Sequence, residues 1–180
     1  MKKWFAVCLG AFISFGCATT QMEDFKIDAA ATAQAPWEVG EVFSDAKCPL
    51  KLGAKCTRVF LGVTDQGHKV LQEFYSDGKK ATDPYLIISD VSWEEVAQLD
   101  NLPSSRNAVD IVEGRLRAWY PSGAKYVEFV KNKSGNIQWT EWYESGGKKR
   151  EMELKDGAGY IKEWDEKGNV TREQRTDKSE

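Results

Sequence analysis

Few residues in this chain have the type and spacing to do chemistry. His68 is the only histidine in 180 residues. A lone imidazole beside a turn glycine, Gly67, removes most zinc, iron and imidazole-base chemistry at the outset. Cys48 and Cys56 are a second candidate. Their spacing is wider than a Cys-x-x-Cys redox pair, and no further soft ligands complete a zinc set, so a structural disulfide closing the Pro49/Gly53 loop is expected in an oxidising compartment. Glu141 and Glu163 precede tryptophans on what should be alternate strands. They are expected to lie apart as solvated positions rather than as the converging carboxylates of a glycosidase. No serine has a recognisable base, and no glycine cluster forms a phosphate cradle. The chain is therefore expected not to be an enzyme, and to hold neither cofactor nor metal.

The elements around these residues are set by a repeat. Trp119-Tyr120-Pro121-Ser122-Gly123, Trp142-Tyr143-Glu144-Ser145-Gly146 and Trp164-Asp165-Glu166-Lys167-Gly168 recur 23 and 22 residues apart. Phe74-Tyr75-Ser76-Asp77-Gly78 has the same form upstream. Gly123, Gly135, Gly146, Gly157 and Gly168 are spaced by 12, 11, 11 and 11 residues. An 11-residue step leaves six or seven residues for a strand and about four for a turn, far too few for parallel crossovers. The spacing predicts an all-β antiparallel hairpin meander. Trp119, Trp142 and Trp164 should then share one face and Tyr120 and Tyr143 the other.

Two readings of these aromatics follow. Either the indoles are an inner face packed on the N-terminal half, or the five residues stay open as a candidate binding surface for a protein, peptide or glycan. The polar stretch from Asn169 to Glu180 reads as a capping strand and tail.

The N-terminal half is less regular. Val59–Thr64 and His68–Tyr75 flank Asp65-Gln66-Gly67 as a hairpin, and Tyr85–Ser89 reads as a short strand. Ser92 and Glu95 form a capping box for a short helical insertion, and Ala108–Glu113 reads as a strand.

Residues 1–17 form an address. Met1-Lys2-Lys3 is a basic start, and Trp4–Phe15 is an apolar stretch of 12 residues, right for a signal helix and too short to span a bilayer. Ser14-Phe15-Gly16-Cys17 resembles the bacterial lipoprotein cleavage box, which makes Cys17 the candidate lipidation site. Ser14 departs from the aliphatic preference of that box, so cleavage after Ala18 stays open. Ala18 following the cysteine resembles outer-membrane rather than inner-membrane sorting. Residues 18–40 lack a strand period and read as a flexible tether, 41–113 as the N-terminal β part and 114–180 as the repeat array. A net charge of −3 gives no electrostatic reason to bind nucleic acid.

The units from Gly114 to Val170, best seen in Trp142–Trp164, resemble the MORN-variant repeat, and Phe60–Lys80 does so weakly. Exported bacterial chains of this build are often grouped as YwqK-like antitoxin proteins. The resemblance implies twisted antiparallel hairpins that present a surface, without cofactor or catalytic residues. Three roles are compatible with it: binding a protein or peptide partner in the envelope, binding peptidoglycan or another carbohydrate, and neutralising a cognate toxin. The sequence assigns no oligomeric state.

Overall fold

The computed structural model describes residues 25–47, 55–99 and 108–177. The expected signal helix over 1–17, with Cys17, lies outside the described residues. So does Cys48.

Ten strands form one antiparallel sheet in which spatial order equals chain order. They are β1 (Val42–Lys47), β2 (Lys55–Val63), β3 (Lys69–Tyr75), β4 (Tyr85–Ile87), β5 (Val112–Trp119), β6 (Lys125–Lys131), β7 (Ile137–Trp142), β8 (Lys148–Lys155), β9 (Ala158–Trp164) and β10 (Val170–Thr176). The all-β hairpin meander read from the glycine spacing is therefore the fold. Among the described residues three short helices accompany it: α1 (Ala29–Thr32), α2 (Trp93–Ala97) and α3 (Ala108–Ile111). Among the described residues no helix is long and apolar enough to cross a membrane.

The turns explain the period. At Tyr120–Ala124 the Gly123 N–H donates to the Tyr120 carbonyl at 2.8 Å, and the Tyr120 N–H donates to the Ala124 carbonyl at 2.8 Å. That is a three-residue loop whose last member must be left-handed, and Gly123 has φ +87°. A Cβ there would meet nothing within 4 Å, so backbone conformation and not space requires the glycine. The same pair of bonds closes the turns at Gly67, Gly78, Gly135, Gly146 and Gly168. The β8–β9 connection is tighter: Lys155 pairs directly with Ala158, and both Asp156 (φ 51°) and Gly157 (φ 86°) are left-handed, as a two-residue hairpin demands.

One face of the sheet carries the core. Phe60, Leu71, Tyr85, Ile87, Leu116 and Phe129 are buried there with Val91, Val96 and Ile111. Two segments cover them. The first brings Trp37, which stacks on Phe43 at 4.0 Å between ring centres, and the second brings Trp93, edge-on to Trp37 at 5.4 Å and to Phe60 at 5.8 Å. The second segment is the expected insertion. Ser92 Oγ accepts from the Glu95 N–H while Glu95 Oε2 accepts from the Ser92 N–H, the capping box that starts α2. Lys69, almost wholly buried in β3, fastens this segment by donating from Nζ to the carbonyls of Ser89 and Val91, with the Trp93 ring 5.2 Å away. Burial pulls the Lys69 ammonium below its usual range, opposed by the charges of Asp90 and Glu95.

In the path of the chain the structure departs from the expectations in two places. Of the flexible tether expected over 18–40, residues 18–24 lie outside the described residues, whereas 25–40 pack on β2. The Asp28 N–H donates to the Val63 carbonyl at 2.8 Å, Asp28 Oδ1 caps α1, and Thr32 Oγ1 accepts from the Val63 N–H at 2.9 Å. Gly62 leaves room for this packing, since a Cβ on it would lie 3.2 Å from Ile27 Cγ2, a tight contact. The strand expected over Ala108–Glu113 begins only at Val112, after the helical turn α3. Ile111 ends that helical turn and Val112 starts β5, and both are buried.

Candidate binding surface

In an antiparallel sheet, paired residues on neighbouring strands point to the same face. The registers therefore define rows of side chains running across the array. One row is Leu116, Phe129, Trp139, Met152, Ile161 and Gln174, from β5 to β10. Beside it run Gly114, Lys131, Ile137, Leu154, Gly159 and Thr176 on one side, and Ala118, Val127, Glu141, Arg150, Glu163 and Arg172 on the other.

The first row starts inside the core and ends outside it. Leu116 and Phe129 are buried, Trp139 is partly buried against them with ring centres 6.0 Å apart, and Met152 is 37% exposed. Leu154, next to it, is 43% exposed. The covering segments that carry Trp37 and Trp93 pack against this core cluster, to which Trp139 and Ile137 are the last contributors from the array. Met152, Leu154 and Ile161 continue the same apolar face beyond it. They line an open groove of about 670 Å³ with Ile137, Asp110 and Arg172. Gly159 also lines the groove, beside its strand partner Thr176, whose Oγ1 a Cβ at 159 would approach to 2.6 Å.

The third row changes from apolar to charged as it leaves the core. Arg150 donates from Nε to Glu163 at 2.7 Å and approaches Glu141 at 3.5 Å, while Trp139 Nε1 donates to the same Glu141 oxygen at 2.9 Å. Glu141 and Glu163 are thus joined through one guanidinium, and Glu141 is buried, where the sequence reading made both separate solvated positions. Arg172 ends the alternation. Its Nη2 donates to Gln174 at 2.7 Å, and among the described residues it has no ion pair.

The five aromatic residues of the expected surface have work inside the array. Tyr75, Tyr120 and Tyr143 each donate a hydroxyl to the carbonyl of the tryptophan one unit ahead: Trp119 at 2.6 Å, Trp142 at 2.8 Å and Trp164 at 2.7 Å. A lysine of each preceding unit lies over the same indoles, Lys80 over Trp119, Lys125 over Trp142 and Lys148 over Trp164, at 4.1, 4.5 and 5.9 Å. All five named residues are half-buried, and none of the three indoles belongs to the core cluster. Trp119 instead bonds through Nε1 to Asp83, on the polar side where Arg117 meets Glu128. The array stops where this scheme stops. Asp165 stands at the tyrosine position of the last unit, and its carboxylate folds back to accept from the Lys167 and Asn169 N–H groups.

Tyr75 couples this scheme to pH. Burial, reinforced by the surrounding hydroxyl and carboxylates, pushes its ionisation from 10.0 up to about 12. An unfolded tyrosine loses its proton first as pH rises, so the stabilisation is complete below pH 10 and is lost between pH 10 and about 12. Tyr75→Phe should cost about 1 kcal/mol at pH 8. Because the variant lacks this titration, urea unfolding should show wild type losing about 1–2 kcal/mol relative to it by pH 12, the full linkage being discounted for solvent screening.

Cys56 is disulfide-bonded and buried beside Tyr75 and Ala81, which gives it a structural setting. His68 stands between its turn and the first residue of β3, its N–H donating to Thr64 Oγ1 at 3.1 Å. Among the described residues no group of three His, Cys, Asp or Glu side chains could hold a metal ion. Compared with known protein families and with curated proteins, the chain matches none.

The residues of the groove carry only a weak sequence signal. Phe129 and Met152 are repeat equivalents, so Met152 is legible as a core-face position. That the core would stop short of it depends on how far two covering segments reach.

Proposed function

We propose that this is an exported, non-enzymatic protein of the cell envelope, tethered through Cys17, that works by binding a protein or peptide partner on its repeat sheet. The observation that supports this most directly is the run of apolar side chains past the end of the core: Ile137, Met152, Leu154 and Ile161 around an open groove. Exposed contiguous apolar area rimmed by polar groups is the usual mark of an interaction surface. The basic, apolar start of the chain and the lipoprotein-like box at Cys17 support the envelope address. The repeat is read as MORN-variant on the Trp-Tyr-x-x-Gly units, and the antitoxin role attached to such chains is one form that partner binding could take.

One experiment tests surface and address together. A photo-crosslinking residue is placed at position 154 or, as a control on the opposite face, at position 140, in wild type and in Cys17→Ser. The expected result is a discrete protein adduct from position 154 only, a membrane-associated acylated wild type, and an unacylated soluble Cys17→Ser. Adducts from both faces or from neither would remove the groove reading. An unacylated wild type starting after Ala18 would remove the anchor. Retention on purified peptidoglycan without any protein adduct would favour the carbohydrate reading.

A further inference from the structure

Building on the reading of the groove as a binding surface, we infer that its occupant is a second copy of this chain, the two packing face to face about a two-fold axis. The charges around the groove motivate the choice. Asp110 stands beside β6, where its carbonyl accepts from Lys131, and Arg172 stands on β10, so an acid and a base flank Met152, Leu154 and Ile161 from opposite sides. A two-fold rotation exchanges the ends of a patch and sets each against its opposite. Arg172 of one copy then meets Asp110 of the other, twice, with the three apolar side chains between. Arg172 is suited to this, being the unpaired end of a row that otherwise alternates Glu141, Arg150, Glu163.

The area agrees with a modest interface. Four strands about 4.8 Å apart and some six residues long make a patch roughly 20 Å square. That is about 400 Å² in plan for each copy, smaller than stable specific interfaces and of the size of a weak, transient one. The expected dimer therefore associates in the micromolar range. An anionic membrane is the less suitable occupant, because Asp110 lines the groove and would face the lipid charge.

The test is sedimentation of the mature chain over about 1–500 µM. Wild type should pass from monomer to dimer within that range. Met152→Glu and Leu154→Glu alter exposed side chains, so the monomer should keep its circular dichroism spectrum while the dimer dissociation constant rises about 100-fold. Thr140→Glu, on the opposite face, should leave dimerisation unchanged. Arg172→Asp and Asp110→Arg should each weaken the dimer about tenfold, and the double variant should recover most of that loss. A chain that stays monomeric throughout overturns the proposal, as does a dimer indifferent to both Met152→Glu and Leu154→Glu. Monomers that bind phosphatidylglycerol vesicles through this face, losing binding in Leu154→Glu, assign the groove to lipid instead. If Asp110→Arg unfolds the chain, the response of Arg172→Asp and of the two glutamate variants still decides. A monomer that crosslinks from position 154 to a different protein sinks the dimer and leaves the partner-binding function standing, so the two failures are distinct.

Discussion

Phe129→Ala should lower the unfolding free energy by about 3–5 kcal/mol, whereas Met152→Ala, the same position one unit later, should change it by under about 1 kcal/mol. The two residues are repeat equivalents on a single row, separated in space by β7. Phe129 is 1% exposed, edge-on to Trp139 and enclosed by the core, so truncation leaves a void that close-packed neighbours fill only in part. Met152 loses contacts that water already shares. Urea denaturation of the two variants with equal slopes would measure the difference. Near-equal losses would mean that Met152 is covered in solution, which at high protein concentration is itself the signature of the proposed dimer; the measurement belongs at a concentration well below the association range.

The ease of reading this fold from its sequence follows from which interactions are local. Each turn is decided within five residues by a glycine that must take positive φ, and such turns join β2 to β3 and every consecutive pair from β5 to β10 without long-range information. The capping box at Ser92 and Glu95 is equally local, and it is found as read. What was not legible depended on partners distant in the chain. The hydroxyl of Tyr143 looks available until its target, the Trp164 carbonyl, is seen one unit ahead. Glu141 looks solvated until Arg150 and Trp139 close around it. Residues 25–40 have no strand period, yet Gly62, by lacking a side chain, gives Ile27 and Thr32 a place on β2. The groove was hidden for the same reason: its residues obey strand periodicity, and only the reach of the covering segments decides which of them remain in water.

Arg58→Met should be comparably damaging, at about 3–5 kcal/mol, for an electrostatic reason. Arg58 on β2 and Glu73 on β3 are a register pair, 3% and 2% exposed, and the guanidinium donates from Nε to Glu73 Oε1 at 3.0 Å with Nη2 at the same distance. Tyr85 donates its hydroxyl to the same oxygen at 3.0 Å, and its ionisation is driven far above the ordinary range by burial first and by the Glu73 carboxylate second. The raised ionisation keeps that phenol protonated, and so a donor, at neutral pH. Removing the guanidinium leaves a carboxylate in the core with its main counter-charge gone, and a neutral hydroxyl does not replace it. Replacing both charges avoids that penalty, so Arg58→Met with Glu73→Leu should recover much of the stability lost by Arg58→Met alone, the remainder reflecting the Tyr85 hydroxyl left without its acceptor. Thermal and urea unfolding of the four proteins give the coupling directly; additive losses in the double variant would show that the pair contributes as two separate residues and not as a unit.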